Sequence, residues 1–226
     1  MMYVKVYFVS ALTGIQTMIK ILLVLLGFLG LGAALAAGWN PVPLRDGWVG
    51  GLILLLSALW ARWRWQRDAV QGRDPSAAER RAWLYMAGSA LICGFVAVVL
   101  MTPGSELHRN TGGTGGYDSW VMFACGAIAW ALLHEGQSQA LDERDRAIDA
   151  LANRVGYSTL IGLLAAFLLA LGFAPKPWME RFTHWLIANT LLNLIMFAGL
   201  AQYAAQLLAY WRDARELQGD VQPGGA

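Results

Sequence analysis

Four polar side chains lie inside a long apolar segment near the carboxyl-terminal end of the chain. Asn189, Thr190 and Asn193 fall within about one helical turn, and Gln202 follows in the same segment. Amide side chains in lipid either bond to neighbouring helices or line a polar path. Two hypotheses follow, a polar contact between packed helices and a path for a solute or an ion. No Asp, Glu or Lys lies near the centre of an apolar segment, which argues against a proton-coupled pump.

A short run of charged residues directly precedes another apolar segment. It consists of Asp142, Glu143, Arg144, Asp145 and Arg146. Asp142 and Arg146 are four residues apart, a spacing that pairs opposite charges on an exposed helix. Apolar residues at Ile148, Leu151 and Val155 predict an amphipathic helix that continues into the membrane. Its charged start is either a solvated surface or a docking surface for a cytoplasmic partner.

The Asp142-Glu143-Arg144 run and the apolar segment after it resemble several uncharacterised bacterial integral-membrane families. In those families a short Asp-Glu-Arg helix leads into the second half of a small helical bundle. The similarity covers residues 142–171. The resemblance implies a bacterial origin and residence in a membrane, and it implies no particular reaction.

The remaining reactive side chains form no recognisable motif. Cys93 and Cys125 each lie in an apolar run without a C-x-x-C spacing, and the three histidines are too far apart for an H-E-x-x-H zinc site. We therefore expect no metal, no cofactor and no catalytic residue. An enzyme site at the outer surface, built from His108, Asp118 and His184, is the weakest of three functional hypotheses.

The composition explains why these side chains need membrane helices to position them. The chain has 226 residues, of which 57% are hydrophobic and 14% charged, whereas a soluble domain carries about 25% charged residues. Eleven tryptophans are present, and tryptophan favours the headgroup level of a bilayer. The net charge of +2 is no indication of nucleic-acid binding.

Six apolar segments are candidates for crossing a bilayer. An α-helix of about 20 residues spans the hydrocarbon core, and the backbone must satisfy its own hydrogen bonds there. The predicted spans are residues 18–38, 48–63, 83–102, 120–133, 157–174 and 185–211. The sequence thus predicts an all-α, polytopic membrane protein with one transmembrane domain over residues 1–226. Its six helices form three hairpins, each closed by an outward turn.

Lysine and arginine predict the orientation of this domain. Thirteen of the 17 basic residues fall before the first span, after the sixth, or in the second and fourth connections. The positive-inside rule then places both termini in the cytoplasm. With the bacterial resemblance, this predicts a multi-pass protein of the bacterial inner membrane.

The amino terminus allows more than one interpretation. Lys20, the following apolar run and Ala34-Leu35-Ala36 have features of a cleavable secretory signal. The apolar run is long for a signal, so we expect an uncleaved anchor. Met18 is an alternative start, in which case residues 3–16 are an upstream extension with helical apolar spacing.

Small residues recur four apart on several predicted spans, a pattern that lets helix backbones approach closely. They are Gly30, Ala34 and Gly38, then Gly47 and Gly51, then Ala90 and Gly94, then Ala127 and Ala131. They predict either packing within one chain or self-association. The favoured function is therefore a non-enzymatic membrane component that packs with, anchors or regulates a protein partner. The alternative is a small transporter or channel with a polar path along the sixth helix.

Overall fold

The computed structural model describes residues 2–70, 77–103, 105, 114–134, 143–180 and 182–220, and within these ranges it consists of helices and their connections, without a strand. Side chains are described within residues 18–67, 78–103, 105, 117–134, 143–177, 179–180 and 182–213. The helices are α1 (Met2–Ala36), α2 (Asp46–Val70), α3 (Ala77–Met101), α4 (Thr114–His134), α5 (Glu143–Phe173), the single-turn α6 (Lys176–Met179) and α7 (His184–Asp220). The all-α prediction is confirmed for this part of the chain.

Four of these helices are long and apolar enough to cross a membrane. The segments are Met18–Ala36 of α1, Ala78–Met101 of α3, Glu143–Phe173 of α5 and His184–Asp213 of α7. Helices suit this role because each backbone N–H and C=O is bonded within its own segment. By length and composition, the molecule is a helical bundle of the membrane type.

Helices α2 and α4 are not among these four candidates. Both extend beyond their predicted spans of 48–63 and 120–133. Arginines and tryptophans occupy the second half of α2, and glycine and polar residues open α4. These residues leave neither helix with a sufficiently apolar stretch of 18 residues in its described part.

Helix α3 lies at the centre of the bundle and contacts both α1 and α7 extensively. Helix α1 runs parallel to α3, because Ile21 packs with residues near the start of α3 and Leu35 with residues near its end. Helix α7 runs antiparallel to α3, since Tyr203 contacts Tyr85 and Tyr210 packs with Ala78. Helix α2 packs mainly on α4.

Helix α1 crosses α3 at close backbone distance. A Cβ atom added to Gly32 would overlap the carbonyl oxygen of Leu91, and one added to Gly94 would overlap that of Leu29. The absence of side chains at these two positions therefore sets the separation of the helices. The predicted close approach of a helix backbone at Gly94 is confirmed. On α1, open space surrounds Gly30, and it is Gly32 that meets α3; packing within the chain is therefore not seen at Gly30, and self-association through that face stays a prediction.

Glycines also pack α2 against α4. Gly47 lies against Asp118, and Gly51 lies against Cys125. At the other end of the pair, the Arg62 guanidinium donates a hydrogen bond of 3.0 Å to the Leu132 carbonyl. These contacts advance together along both helices, so α2 and α4 are parallel. The prediction for Gly47 and Gly51 is confirmed, whereas Ala127 and Ala131 of α4 are exposed.

Helices α5 and α7 form an antiparallel pair joined through α6. The predicted continuity of the charged segment with the fifth span is confirmed, because α5 is one helix of 31 residues. Its buried inner face consists of Ile148, Ala152 and Gly156, while Leu151 is exposed. Among the helices that the structure describes, this pair is the one predicted hairpin whose two members are each other's main neighbours. The first four helices pack instead as α1 with α3 and α2 with α4.

Candidate functional site

The amides predicted on the last span are buried in the first half of α7. Asn189 is 4% exposed and Asn193 is 7% exposed. The Asn189 amide donates to the Trp185 carbonyl at 2.9 Å, and the Thr190 hydroxyl donates to the Leu186 carbonyl at 2.8 Å. Both bonds stay within α7 and satisfy side chains that have little access to water. Among the described residues, the Asn193 side-chain oxygen has no hydrogen-bond partner.

Gln202, the fourth predicted residue, connects α7 to α5. Its amide nitrogen donates to the side-chain oxygen of Asn153 at 2.6 Å. The side chain of Gln202 also covers Gly156, where a Cβ atom would approach it to 2.9 Å. Gln202 is therefore a polar contact between packed helices, as one of the two sequence hypotheses proposed.

The charged segment before the fifth span also holds α5 against α7. Arg144 forms an ion pair with Asp213, and its guanidinium carbon lies 5.9 Å from the centre of the Tyr210 ring. The Tyr210 hydroxyl donates to an Asp145 carboxylate oxygen at 2.9 Å. Glu143 and Arg146 are exposed, and Asp142 lies outside the described residues. Part of the predicted docking segment thus serves intramolecular packing.

Away from α7, the described part of the chain leaves most of helix α5 uncovered. Of the 18 residues in its most apolar stretch, only 6% are buried, whereas 50% are buried in the corresponding stretch of α3. Arg154, Ser158, Gly162 and Ala166 are all exposed and four residues apart, and we call this row the α5 ridge. Ser158 lies two residues after the buried Gly156, about 200° around the helix. The ridge therefore faces away from α7, which is the main neighbour of α5.

A second feature is an apolar cleft on a different face of α7. It has a volume of about 400 Å³ and lies between α4 and α7, with α3 as its floor and part of α2 at its side. Its walls include Ile92, Phe123, Trp130, Ile195 and Met196. The volume falls in the range typical of small-molecule sites. Neither Asn189 nor Asn193 lines this cleft.

Four aromatic side chains from three helices meet at one end of the cleft. This aromatic cluster consists of Tyr85, Trp130, His134 and Tyr203. The Tyr85 hydroxyl lies 3.4 Å from His134 Nδ1, and the Tyr85 and Tyr203 rings are 5.1 Å apart at their centres. Trp130 stacks on His134 with ring centres 4.8 Å apart. The cluster gives the cleft a polar end and an apolar end.

The residues of the hypothetical outer enzyme site do not assemble into a described site. Asp118 forms an ion pair of 3.3 Å with Arg45, next to Gly47. His184 is the first residue of α7 and is exposed, and His108 lies outside the described residues. Cys93 and Cys125 are buried free thiols. The described residues contain no group of three metal-ligating side chains.

Sequence reasoning missed the cleft and its aromatic cluster. Tyr85 and His134 are 49 residues apart, and no local spacing connects them. The usable signal was Trp130 with His134, which share a face of one helix at a spacing of four. That pair indicated a ring stack, but not the cleft beside it.

Comparisons with protein-family models, with curated proteins and with solved structures found no match for this chain. The resemblance to bacterial families with an Asp-Glu-Arg helix therefore stays a prediction.

Proposed function

We propose that the protein is a non-enzymatic integral membrane component that binds a partner protein through the α5 ridge. The observation that carries this proposal is the contrast between α5 and α3. Helix α5 has membrane length and contacts α7 over about its first four turns, from Arg144 to Gly156, yet only 6% of its most apolar stretch of 18 residues is buried. A helix that is held by one neighbour and exposed on the opposite face is suited to pack with another transmembrane helix.

The ridge also indicates the chemistry of that partner. Ser158, Gly162 and Ala166 are small enough for close backbone approach, and open space surrounds Gly162. Arg154 continues the same row at the charged end of α5. In a symmetric pair of copies each ridge meets itself, which would place two Arg154 side chains together. A different helix with an acidic residue at its membrane border is the better complement.

The proposal includes six membrane crossings with both termini in the cytoplasm of a bacterium. Helices α1 and α3 run parallel, so the chain must return across the bilayer between them, and α2 is the described helix in that interval. Helices α3 and α5 are both antiparallel to α7 and therefore run in the same direction. The chain must then cross back between them as well, and α4 is the described helix in that interval. The excess of basic residues at the ends of α2 and α7 and the start of α5 supports an inward orientation.

Site-specific photo-crosslinking in native membranes tests the partner proposal. A photoreactive residue at positions 158, 162 or 166 should form an adduct with the same second polypeptide. The matched control is position 27 on α1, where the glycine is exposed and surrounded by open space. Adducts with lipid alone at all four positions would overturn the proposal. An adduct containing a second copy of this chain would overturn the choice of a different partner.

Substitutions on the ridge give an independent test. Gly162→Leu should release the crosslinked polypeptide, because a large side chain holds the backbones apart, whereas Gly27→Leu should not. Arg154→Glu should weaken the association, and an acidic-to-basic change in the partner should restore it. Retention of the partner by Gly162→Leu would contradict the ridge as the contact.

A transporter with a polar path along α7 is the second candidate, favoured by the buried Asn193 side-chain oxygen that has no partner among the described residues. Purified protein in liposomes should then conduct a small solute or ion. Replacing Asn189 and Asn193 with Leu should abolish that flux, and unchanged flux in the double variant would eliminate the candidate.

A further inference from the structure

The cleft between α4 and α7 is open at its side, which lies at membrane depth in the six-crossing topology proposed above. Trp130 and Ile195 line it from opposite walls, and they are 48% and 53% exposed. Ala127 on the same wall as Trp130 is also exposed. A ligand therefore has a lateral entry between two helices, directly from the bilayer.

The length of the cleft matches one leaflet. Along α4 its lining runs from Phe123 to Leu133, ten residues apart, which corresponds to about 15 Å of helix. The hydrocarbon core of a bilayer is about 30 Å thick, so one leaflet contributes about half of that. The cleft is long enough for one hydrocarbon chain that lies along the bundle.

The two ends of the cleft differ in chemistry in the way that a lipid does. Ile92, Phe123 and Ile195 form the apolar end. The other end has the hydroxyl groups of Tyr85 and Tyr203 beside the aromatic cluster. Aromatic rings with one polar atom favour the level of the headgroups.

Positive charge lies next to the polar end. Arg81 precedes Tyr85 by one helical turn on α3. Arg62 of α2 donates to the Leu132 carbonyl at the end of α4, next to the lining residue Leu133. Guanidinium groups are suited to phosphate oxygens, to which they donate charge-assisted hydrogen bonds.

We propose that the cleft between α4 and α7 binds one anionic phospholipid of the leaflet at the Tyr85 end of the bundle. One acyl chain occupies the apolar cleft, and the phosphate lies beside Arg81 and the tyrosine hydroxyls. The headgroup carries the negative charge that the basic end favours. This site is separate from the α5 ridge and does not depend on the partner proposed for it.

Gly199 provides a variant that fills the cleft. It lines the cleft, and a Cβ atom placed there meets no atom within 4 Å. Gly199→Leu should therefore fold and occupy the space of the acyl chain. Gly27→Leu on α1 adds the same side chain in open space outside the cleft and is the matched control.

Native mass spectrometry of the full chain in detergent measures the outcome, after addition of phosphatidylglycerol or phosphatidylcholine with identical acyl chains. We expect one retained phosphatidylglycerol on the wild type and on Gly27→Leu, and about tenfold weaker retention on Gly199→Leu. Arg81→Gln should remove the preference over phosphatidylcholine, whereas Arg64→Gln should keep it, because Arg64 lies 5.4 Å over the Trp60 ring on α2. Thermal unfolding verifies that each variant is folded.

Three results would overturn the proposal. The first is equal retention of lipid by folded Gly199→Leu and by the wild type. The second is equal retention of the two phospholipids by the wild type, which would refute recognition of the anionic headgroup. The third is displacement of the phospholipid by a free fatty acid of the same chain length at equal concentration. The crosslinks of the α5 ridge should be the same in Gly199→Leu, so each proposal fails or holds separately.

Discussion

The contact between α1 and α3 and the contact between α5 and α7 hold membrane helices together by different means. At the first, Gly32 and Gly94 bring two backbones together at membrane depth. At the second, Gln202 bonds to Asn153, Tyr210 bonds to Asp145, and Arg144 pairs with Asp213. These polar contacts lie toward the charged end of the pair.

This difference shows that the kind of contact that holds two helices together depends on its depth in the bilayer. Lipid supplies no hydrophobic drive for helix association, so contacts at membrane depth depend on close packing. Near the bilayer surface, water and headgroups solvate charged groups, so the desolvation cost of forming a polar pair is small there. Helix α3 is therefore a buried packing centre, whereas α5 is fastened near one end and leaves its ridge uncovered.

The strongest test of this comparison is Gly94→Leu. The new side chain would overlap the Leu29 backbone, which cannot move without displacing α1. Overpacking usually costs about 1–3 kcal/mol, and a clash with backbone should exceed that range. Thermal unfolding in detergent should show a large loss of stability. The same change at Gly172, which has open space around it, should leave stability unchanged, and equal losses in both variants would break the comparison.

The polar side of the comparison is tested at Tyr210, which is 3% exposed and donates to Asp145. Tyr210→Phe and Asp145→Asn should each destabilise the α5–α7 pair by about 1–2 kcal/mol, because a hydrogen bond to a charged group is lost or weakened. The double variant should lose less than the sum of the single variants. Chemical denaturation in mixed micelles measures this coupling, and full additivity would show that the two side chains do not interact.

Replacing Asn193 tests whether a polar side chain that is buried at membrane depth stabilises the bundle. Its side-chain oxygen has no partner among the described residues. Asn193→Leu should therefore stabilise the bundle, by about 1 kcal/mol, since an unsatisfied polar atom is removed. Asn189→Leu is the comparison, because Asn189 bonds to Trp185 and its loss should give no such gain. Destabilisation by Asn193→Leu would indicate an interaction beyond the described residues.

The smallest expected effect belongs to the ion pair of Arg144 with Asp213. The two side chains are 41% and 34% exposed, so water and salt screen their attraction. Arg144→Gln should cost at most about 1 kcal/mol, and high salt should remove the difference from the wild type. A larger loss that persists in high salt would assign Arg144 a packing role through the Tyr210 ring.

The sequence predicted the helices better than their contacts. Long apolar runs between arginine-rich connections indicate where α1, α3, α5 and α7 lie. Which glycine of α1 meets α3 depends on the rotation of the helix, so Gly30 was predicted where Gly32 makes the contact. The bond from Gln202 to Asn153 joins residues 49 apart, and the cleft exists because α4 and α7 stay separated over α3. Such features arise only from tertiary packing.

The six-crossing topology is tested most directly by labelling single cysteines with a membrane-impermeant thiol reagent in intact bacterial cells. Replacing the two native cysteines, Cys93 and Cys125, with Ala gives the background. We predict that Val42→Cys, in the connection between α1 and α2, reacts in intact cells. Arg64→Cys near the end of α2 should react only after the membrane is opened. Labelling of both positions in intact cells, or of Arg64→Cys alone, would contradict the account.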